Sequence, residues 1–479
     1  MSVTLASPPH NLSFSAFVAF AAFGSFWGVW GASLPRVQDQ AGITDGQLGF
    51  ALLFVGAGAL PAMLLVGRAL DRWGLKFAAV VISSFGFAGA GLALIAVSLP
   101  SLCVGLALIG ASSGAADVAM NAVAGRAEKI SGRPVITRAH GVFSSLVVLG
   151  SLATGLAAAT SLPLAAPFIA VAVLCLIAGA CLLKTLPPGV AVEEHQHIST
   201  TSASLAGRLW VVPFLLVGVL GALAFASENA HQSWSAVFAY DELRSSAGLS
   251  AVAPAVFAGT VAVTRFSIGG VKPAHAQTVL LTGALAAAAG ANIIAAAPTL
   301  LIALMGLAVA AAGTAVLFPT LLGVVSRNVN ESRRGRATSV VTTVSYLGFL
   351  LGPVYVGMWA DKVGLRGAMV AVAALAVTLL VLTPLLLRLS GFTGTGPTSN
   401  LTDVGVPDAA VVPPPDVHAR RCGEGWSAGP ESRRWCRTAT AADHRAPLPD
   451  SRPGRRVGRS LRTASVACAH AGVLRHPVV

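Results

Sequence analysis

Three stretches of this chain contain no Asp, Glu, Lys or Arg: residues 77–116, 141–183 and 276–326. A helix crosses a hydrocarbon layer about 30 Å thick in roughly 20 residues, so each stretch is long enough for two passes. A soluble fold this size would leave much of that apolar surface in water, and a bilayer removes the problem. The composition agrees. Of 479 residues, 55% are hydrophobic and 11% charged, against about 25% charged in soluble domains. Backbone groups in lipid must bond within their own segment, so the spans are expected to be helices.

Apolar runs place spans at about 12–35, 46–67, 76–98, 101–125, 139–160 and 163–186, then 209–232, 247–267, 276–297, 299–324, 337–360 and 366–389. Leu99-Pro100, Leu162-Pro163 and Ala297-Pro298 mark tight turns inside the uncharged stretches, since proline bends the chain and lacks an N–H. The first apolar run, Leu12 to Leu34, has no basic region before it and is too long for a signal core, so it reads as the first span. With the N-terminus in the cytoplasm, the inner loops hold fifteen Lys and Arg and the outer loops four: Arg36, Arg244, Lys362 and Arg366. That bias sets the orientation. It implies a multi-pass protein of the cell inner (plasma) membrane with both termini cytoplasmic.

The expected fold class is therefore an all-α membrane protein with twelve transmembrane helices in two six-helix, pseudo-symmetric halves. The N-terminal half covers 1–186, a cytoplasmic linker 187–208 and the C-terminal half 209–390. Internal repeats of this kind build many secondary transporters. Glu193, Glu194, His195 and His197 in the linker read as a solvated loop rather than a metal site. Six cysteines include no Cys-x-x-Cys pair, so no metal or redox motif is supported. From Gly391 onward the chain is rich in Arg, Pro, Gly, Ser and Ala and contains no Lys. That tail, 391–479, is expected to be disordered. Its composition is also that of a GC-rich gene read out of frame, the alternative being an ordinary basic cytoplasmic tail. Twelve of the 32 basic residues lie there, so the net charge of +13 argues for no nucleic-acid partner.

The sharpest motif lies between spans two and three: Gly67-Arg68-Ala69-Leu70-Asp71-Arg72-Trp73-Gly74-Leu75-Lys76. Gly67 suits a close helix approach and Gly74 a tight reversal, while Asp71 can meet a helix N-terminus or an arginine. The segment resembles the signature loop of the major facilitator superfamily. That resemblance implies a conformational latch made by Gly67, Asp71, Arg72, Gly74 and Lys76. The equivalent loop between spans eight and nine keeps bases and glycines but has no acid. A closer lookalike, Gly357-Met358-Trp359-Ala360-Asp361-Lys362-Val363-Gly364, falls on an outer loop and reads as coincidence. Gly24/Gly28, Gly110/Gly114 and Gly348/Gly352 recur at helix-packing spacing.

Polar groups at membrane depth are costly and normally face a cavity. Asp117 and Asn121 share a face of span four, His140 opens span five, and span seven ends with Glu228, Asn229, His231 and Trp234. These seven are the candidates for proton coupling or substrate binding. Asp117 and Glu228 are the carboxylates placed well inside spans, where desolvation would let either load and release a proton near neutral pH. Trp27, Trp30 and Trp234 are candidates for stacking on a solute ring or for anchoring at the interface. Together the span-four pattern, His140-x-x-Phe143-Ser144 and the Glu228 to Trp234 segment look like a bacterial branch of the superfamily related to sugar permeases.

The resemblance implies secondary active transport of a small solute by alternating access, with spans one, four, five, seven, eight, ten and eleven lining the path. No nucleotide-binding signature is present, so coupling to protons is expected. Efflux of toxic or drug-like compounds and a non-transporting sensor are the alternatives. Drug/proton antiporters of the superfamily usually carry Gly-Pro in span five, and His140–Thr160 has no proline. No catalytic residues, cofactor or metal are expected, and each chain is expected to work without an oligomer. A cysteine introduced into 187–208, in a variant lacking the native six, should react with an impermeant maleimide only after cells are permeabilised. Labelling of intact cells would reverse the orientation.

Overall fold

The computed structural model describes residues 9–187, 205–267 and 273–392. Among them are helices and turns and no strand. Helices α1 (Pro9–Ala41), α2 (Asp45–Trp73), α3 (Phe77–Ile95), α4 (Leu99–Ser131), α5 (Val135–Ala159) and α6 (Ala165–Thr185) come first. Then α7 (Leu205–Val237) runs into a π-helical turn at Phe238–Glu242. It is followed by α8 (Ala247–Ser250), α9 (Val252–Ser267), α10 (Ala276–Ala296), α11 (Leu300–Ala315), α12 (Leu317–Arg327) and α13 (Glu331–Leu389).

Eleven helical stretches are long and apolar enough to cross a membrane. The last, at 59 residues, would reach about 90 Å if straight, three times the hydrocarbon thickness. Gly364, at φ 77°, breaks it. Its two arms, 331–363 and 365–389, bring the membrane-length segments among the described residues to twelve. All belong to one compact unit, Met1–Asp403. Most of the linker, and the tail from 393 onward, lie outside the described residues, and so do the readings made of them.

The helices outrun the expected spans because an apolar window marks only the part in lipid. α1 continues to Ala41 and α4 to Ser131, where Gly132 at φ 62° caps it. α2 starts at a capping box: Gln47 N–H donates to Thr44 Oγ1 while Gln47 Oε1 accepts from the Thr44 amide. Pro100 is not the turn itself. It sits in the first turn of α4, where no helical hydrogen bond needs its missing N–H.

Glycine pairs set the closest crossings. Gly24 and Gly28 lie against the α5 backbone at Phe143 and Val147, and Ser151 Oγ donates to the Gly28 carbonyl at 3.1 Å. Gly110 and Gly114 meet α2 at Val55 and Ala59, and Gly348 and Gly352 meet α7 at Ala222 and Ala226. Similar contacts join the first six helices to the later ones, at the end of the bundle where α2 begins. There a Cβ on Gly357 would stand 3.0 Å from Gly49 Cα and 2.6 Å from the Asp45 oxygen. At the same end, a Cβ on Gly155 of α5 would stand 2.6 Å from the Gly248 oxygen of α8. Toward the opposite end of α2, a Cβ on Gly67 would meet nothing within 4 Å. The α2–α13 seam is tight at one end, and toward the other Gly67 has open space beside it among the described residues.

Replacing Gly110 by Leu should lower stability in detergent by about 1–3 kcal/mol, the usual cost of overpacking. Gly125, on the same helix, has open space beside it, so Gly125→Leu should leave the melting temperature unchanged or raised.

Candidate functional site

Helix α11 stops at Ala315 and α12 starts at Leu317, and the cause is two residues on. Pro319 has no N–H to give the carbonyl four residues back, which is that of Ala315. An unpaired carbonyl in lipid costs several kcal/mol. Arg265 of α9 supplies the missing donor, its Nε reaching the Ala315 oxygen at 3.2 Å. That bond orients the guanidinium, and Nη2 donates to Glu228 Oε1 at 2.9 Å and Oε2 at 3.2 Å. The Glu228 side chain is 15% exposed and that of Arg265 44%. Sequence reasoning counted Arg265 among the inner-loop bases. It stands in the last turn of α9 with its guanidinium on Ala315 and Glu228, and the signal that could have found that contact is Pro319.

The same logic places Asn229. Pro353 deprives the Phe349 carbonyl of its helical donor, and Asn229 Nδ2 donates to it. Ser233 Oγ in turn donates to Asn229 Oδ1 at 3.1 Å. Asn229 therefore braces α7 against α13 and has little left to offer a solute.

Around the Arg265–Glu228 pair the other candidates divide. His140 is exposed on α5, edge-on to Phe20 of α1 with ring centroids 4.9 Å apart. Asp117 and Asn121 pair along α4, Asn121 Nδ2 donating to Asp117 Oδ1 at 3.2 Å and to its backbone oxygen at 2.9 Å. Tyr346 belongs to an aromatic group with Phe225, Phe318 and Phe349. Phe225 and Phe318 are 4.2 Å apart, and Phe225 and Tyr346 5.7 Å. Tyr346 and Phe349 are 42% and 39% exposed. These groups come from spans one, four, five, seven, eight, ten and eleven.

His231 and Trp234 sit apart from this set. His231 is buried, bonds the Ser227 oxygen through Nδ1 at 2.7 Å and stacks on Phe257. Although one turn from Glu228, it points into the packing between helices. Trp234 is fully buried, its Nε1 donating to the Pro353 oxygen at 3.1 Å. Trp30 is buried and Trp27 packs among Phe23, Phe26 and Phe85. Of the three tryptophans, Trp30 and Trp234 are buried and Trp27 is half-buried.

In the 67–76 segment, Gly74 takes the expected reversal at φ 74°. Asp71 and Arg72 are exposed at the end of α2, Lys76 precedes α3, and a Cβ on Gly67 would meet nothing within 4 Å among the described residues.

The sequence matches the model of the Major Facilitator Superfamily over residues 13–272 and 275–419. The chain belongs to that superfamily. It is 31% identical over 360 residues to an uncharacterised MFS-type transporter of Yersinia pestis, covering 72% of this chain and 88% of that protein. Among solved structures, the fold is similar to the nucleoside transporter NupG, with TM-score 0.64, 13% identity, and 79% and 99% of the two chains covered. It is also similar to a D-xylose-proton symporter, with TM-score 0.63, 15% identity, and 81% and 99% covered. The superfamily member described here is thus a multi-pass membrane protein of a transporter family.

A double-mutant cycle tests the coupling at its centre. Arg265→Met should destabilise the protein more when Glu228 is present than in a Glu228→Gln background. The interaction energy should fall in the range of about 0.5–3 kcal/mol found for groups in one network, read from melting in detergent.

Proposed function

We propose that this superfamily member is a secondary active transporter that moves a small solute by alternating access and is driven by protons. Two pseudo-symmetric six-helix halves would rock about the ring of groups between α4, α5, α7, α9 and α13. With basic loops and termini in the cytoplasm of a cell with a plasma membrane, the tight end of the α2–α13 seam faces outward and the open end inward.

The observation that carries proton coupling is the contrast between two carboxyls. Glu228 has its charge matched by Arg265. Asp117, half-buried on α4, has only the Asn121 amide and no cation partner among the described residues. A lone carboxylate at membrane depth is costly, and taking a proton removes that cost, so Asp117 is the better proton carrier. The similarity to a D-xylose-proton symporter supports the same chemistry. The exposed rings of Tyr346 and Phe349 supply a face on which a solute ring can stack.

The solute comes first, from a stabilisation screen of sugars, nucleosides and organic acids on the purified protein. In proteoliposomes, one proton per solute and a gradient of one pH unit support about tenfold accumulation. Asp117→Asn should reduce that ratio to one while leaving solute exchange within about twofold. Full accumulation by that variant would remove Asp117 from the coupling role.

A further inference from the structure

The segment Gly357 to Gly364, taken from the sequence as a chance likeness, makes a contact that the transport reading does not use. Asp361 lies three residues before the break at Gly364, near the C-terminal end of its helical arm. An acid there opposes the helix dipole. The structure turns it outward to the N-terminal end of α2. Asp361 Oδ1 accepts from the Gly46 amide at 2.8 Å and Oδ2 from Thr44 Oγ1 at 3.2 Å. A carboxylate that is misplaced on its own helix becomes the cap of another. The two helices belong to opposite sets of six, and the contact sits where Gly46 and Gly49 meet Gly357. Asp45, beside it, is separately held, with Gln38 Nε2 donating to its Oδ1 at 2.8 Å.

The mirror case is visible on α2. Asp71 lies in the last turn of α2, again against the dipole of its own helix, and is exposed without a hydrogen bond or ion pair among the described residues. α2 starts where the first arm of α13 ends. The acid-bearing end of each helix therefore lies on the side of the bundle where the other begins.

We propose that Asp361 is a positioning residue of the transport cycle. It holds the α2–α13 seam shut at this end and must release Gly46 and Thr44 before that end can open. The resemblance assigned a latch only to the opposite end, at Asp71. On the present geometry the two acids serve in alternate states, and the one engaged here is Asp361.

Gly46 offers a test from the other side of the contact. It is helical, without a positive φ, so alanine suits it better than glycine as a helix former. A Cβ there would collide with the Asp361 carboxylate, which can swing away. Gly46→Ala should therefore fold normally and still evict the cap. The measurement is the distance distribution between spin labels on cysteines at Phe50 and Val363, near the tight end, and at Arg72 and Arg334, at the other. It is made in the full chain without its native cysteines and needs neither solute nor gradient, so it stands apart from the proton-coupling reading.

Asp361→Asn and Gly46→Ala should each shift the ratio of states toward a longer Phe50–Val363 distance and a shorter Arg72–Arg334 distance. About tenfold is expected, as for loss of a strong N-terminal cap. Asp361→Glu should restore much of the original ratio. Unchanged distributions in Gly46→Ala would overturn the proposal even if Asp361→Asn failed to fold. A change in Asp361→Asn alone would leave Asp361 a merely structural residue and would overturn it as well.

Discussion

A carbonyl oxygen stripped of its amide partner has no water to turn to inside a bilayer, and two such oxygens organise this molecule. Both are made by proline. Pro319 strands the Ala315 oxygen and Pro353 that of Phe349, and each draws a polar side chain from a neighbouring helix. The donors differ in consequence. Asn229 is neutral and ends its reach in the brace. Arg265 brings a positive charge with it, and that charge requires Glu228. An ion pair between α7 and α9 thus accompanies the absence of one N–H.

The second constraint is steric. Helices in lipid gain little from burying apolar surface against each other, so close backbone approach through small residues holds them together. Most glycine seams here lie within one set of six helices, as at Gly28 on α5 or Gly348 on α7. Glycine-to-glycine contacts that join the two sets, Gly46 and Gly49 with Gly357 and Gly155 with Gly248, lie toward one end, while near the other Gly141 of α5 meets only the tip of the Phe266 ring of α9. Contacts of this kind are made or lost by a small rotation, because a glycine pair has no long side chains to keep touching across a gap. The tight end and the space beside Gly67 are two aspects of one arrangement.

Local conflict marks the places where the helices are tied together. Asp71 and Asp361 both stand in the final turn of a helical arm, where a negative charge is unfavourable. Read as isolated helices, both positions look like errors. Only the approach of a foreign N-terminal end turns one of them into a cap. Trp30 and Trp234 go the other way: residues that promised solute contact are buried in the packing.

Much of this was legible beforehand. Uncharged runs and glycine spacing sufficed for the membrane-length helices and for glycines at their crossings, because those properties depend on the chain's local exchange with lipid. The 67–76 motif sufficed for the superfamily. What could not be read was which polar groups meet. Arg265 looked like a loop base, His231 like a candidate for proton coupling or substrate binding, and Asp361 like coincidence. Their roles depend on which face each helix turns to its neighbours and how deep it sits. Those are set by backbone contacts and stranded carbonyls between residues tens or hundreds of positions apart, and only the folded bundle decides them.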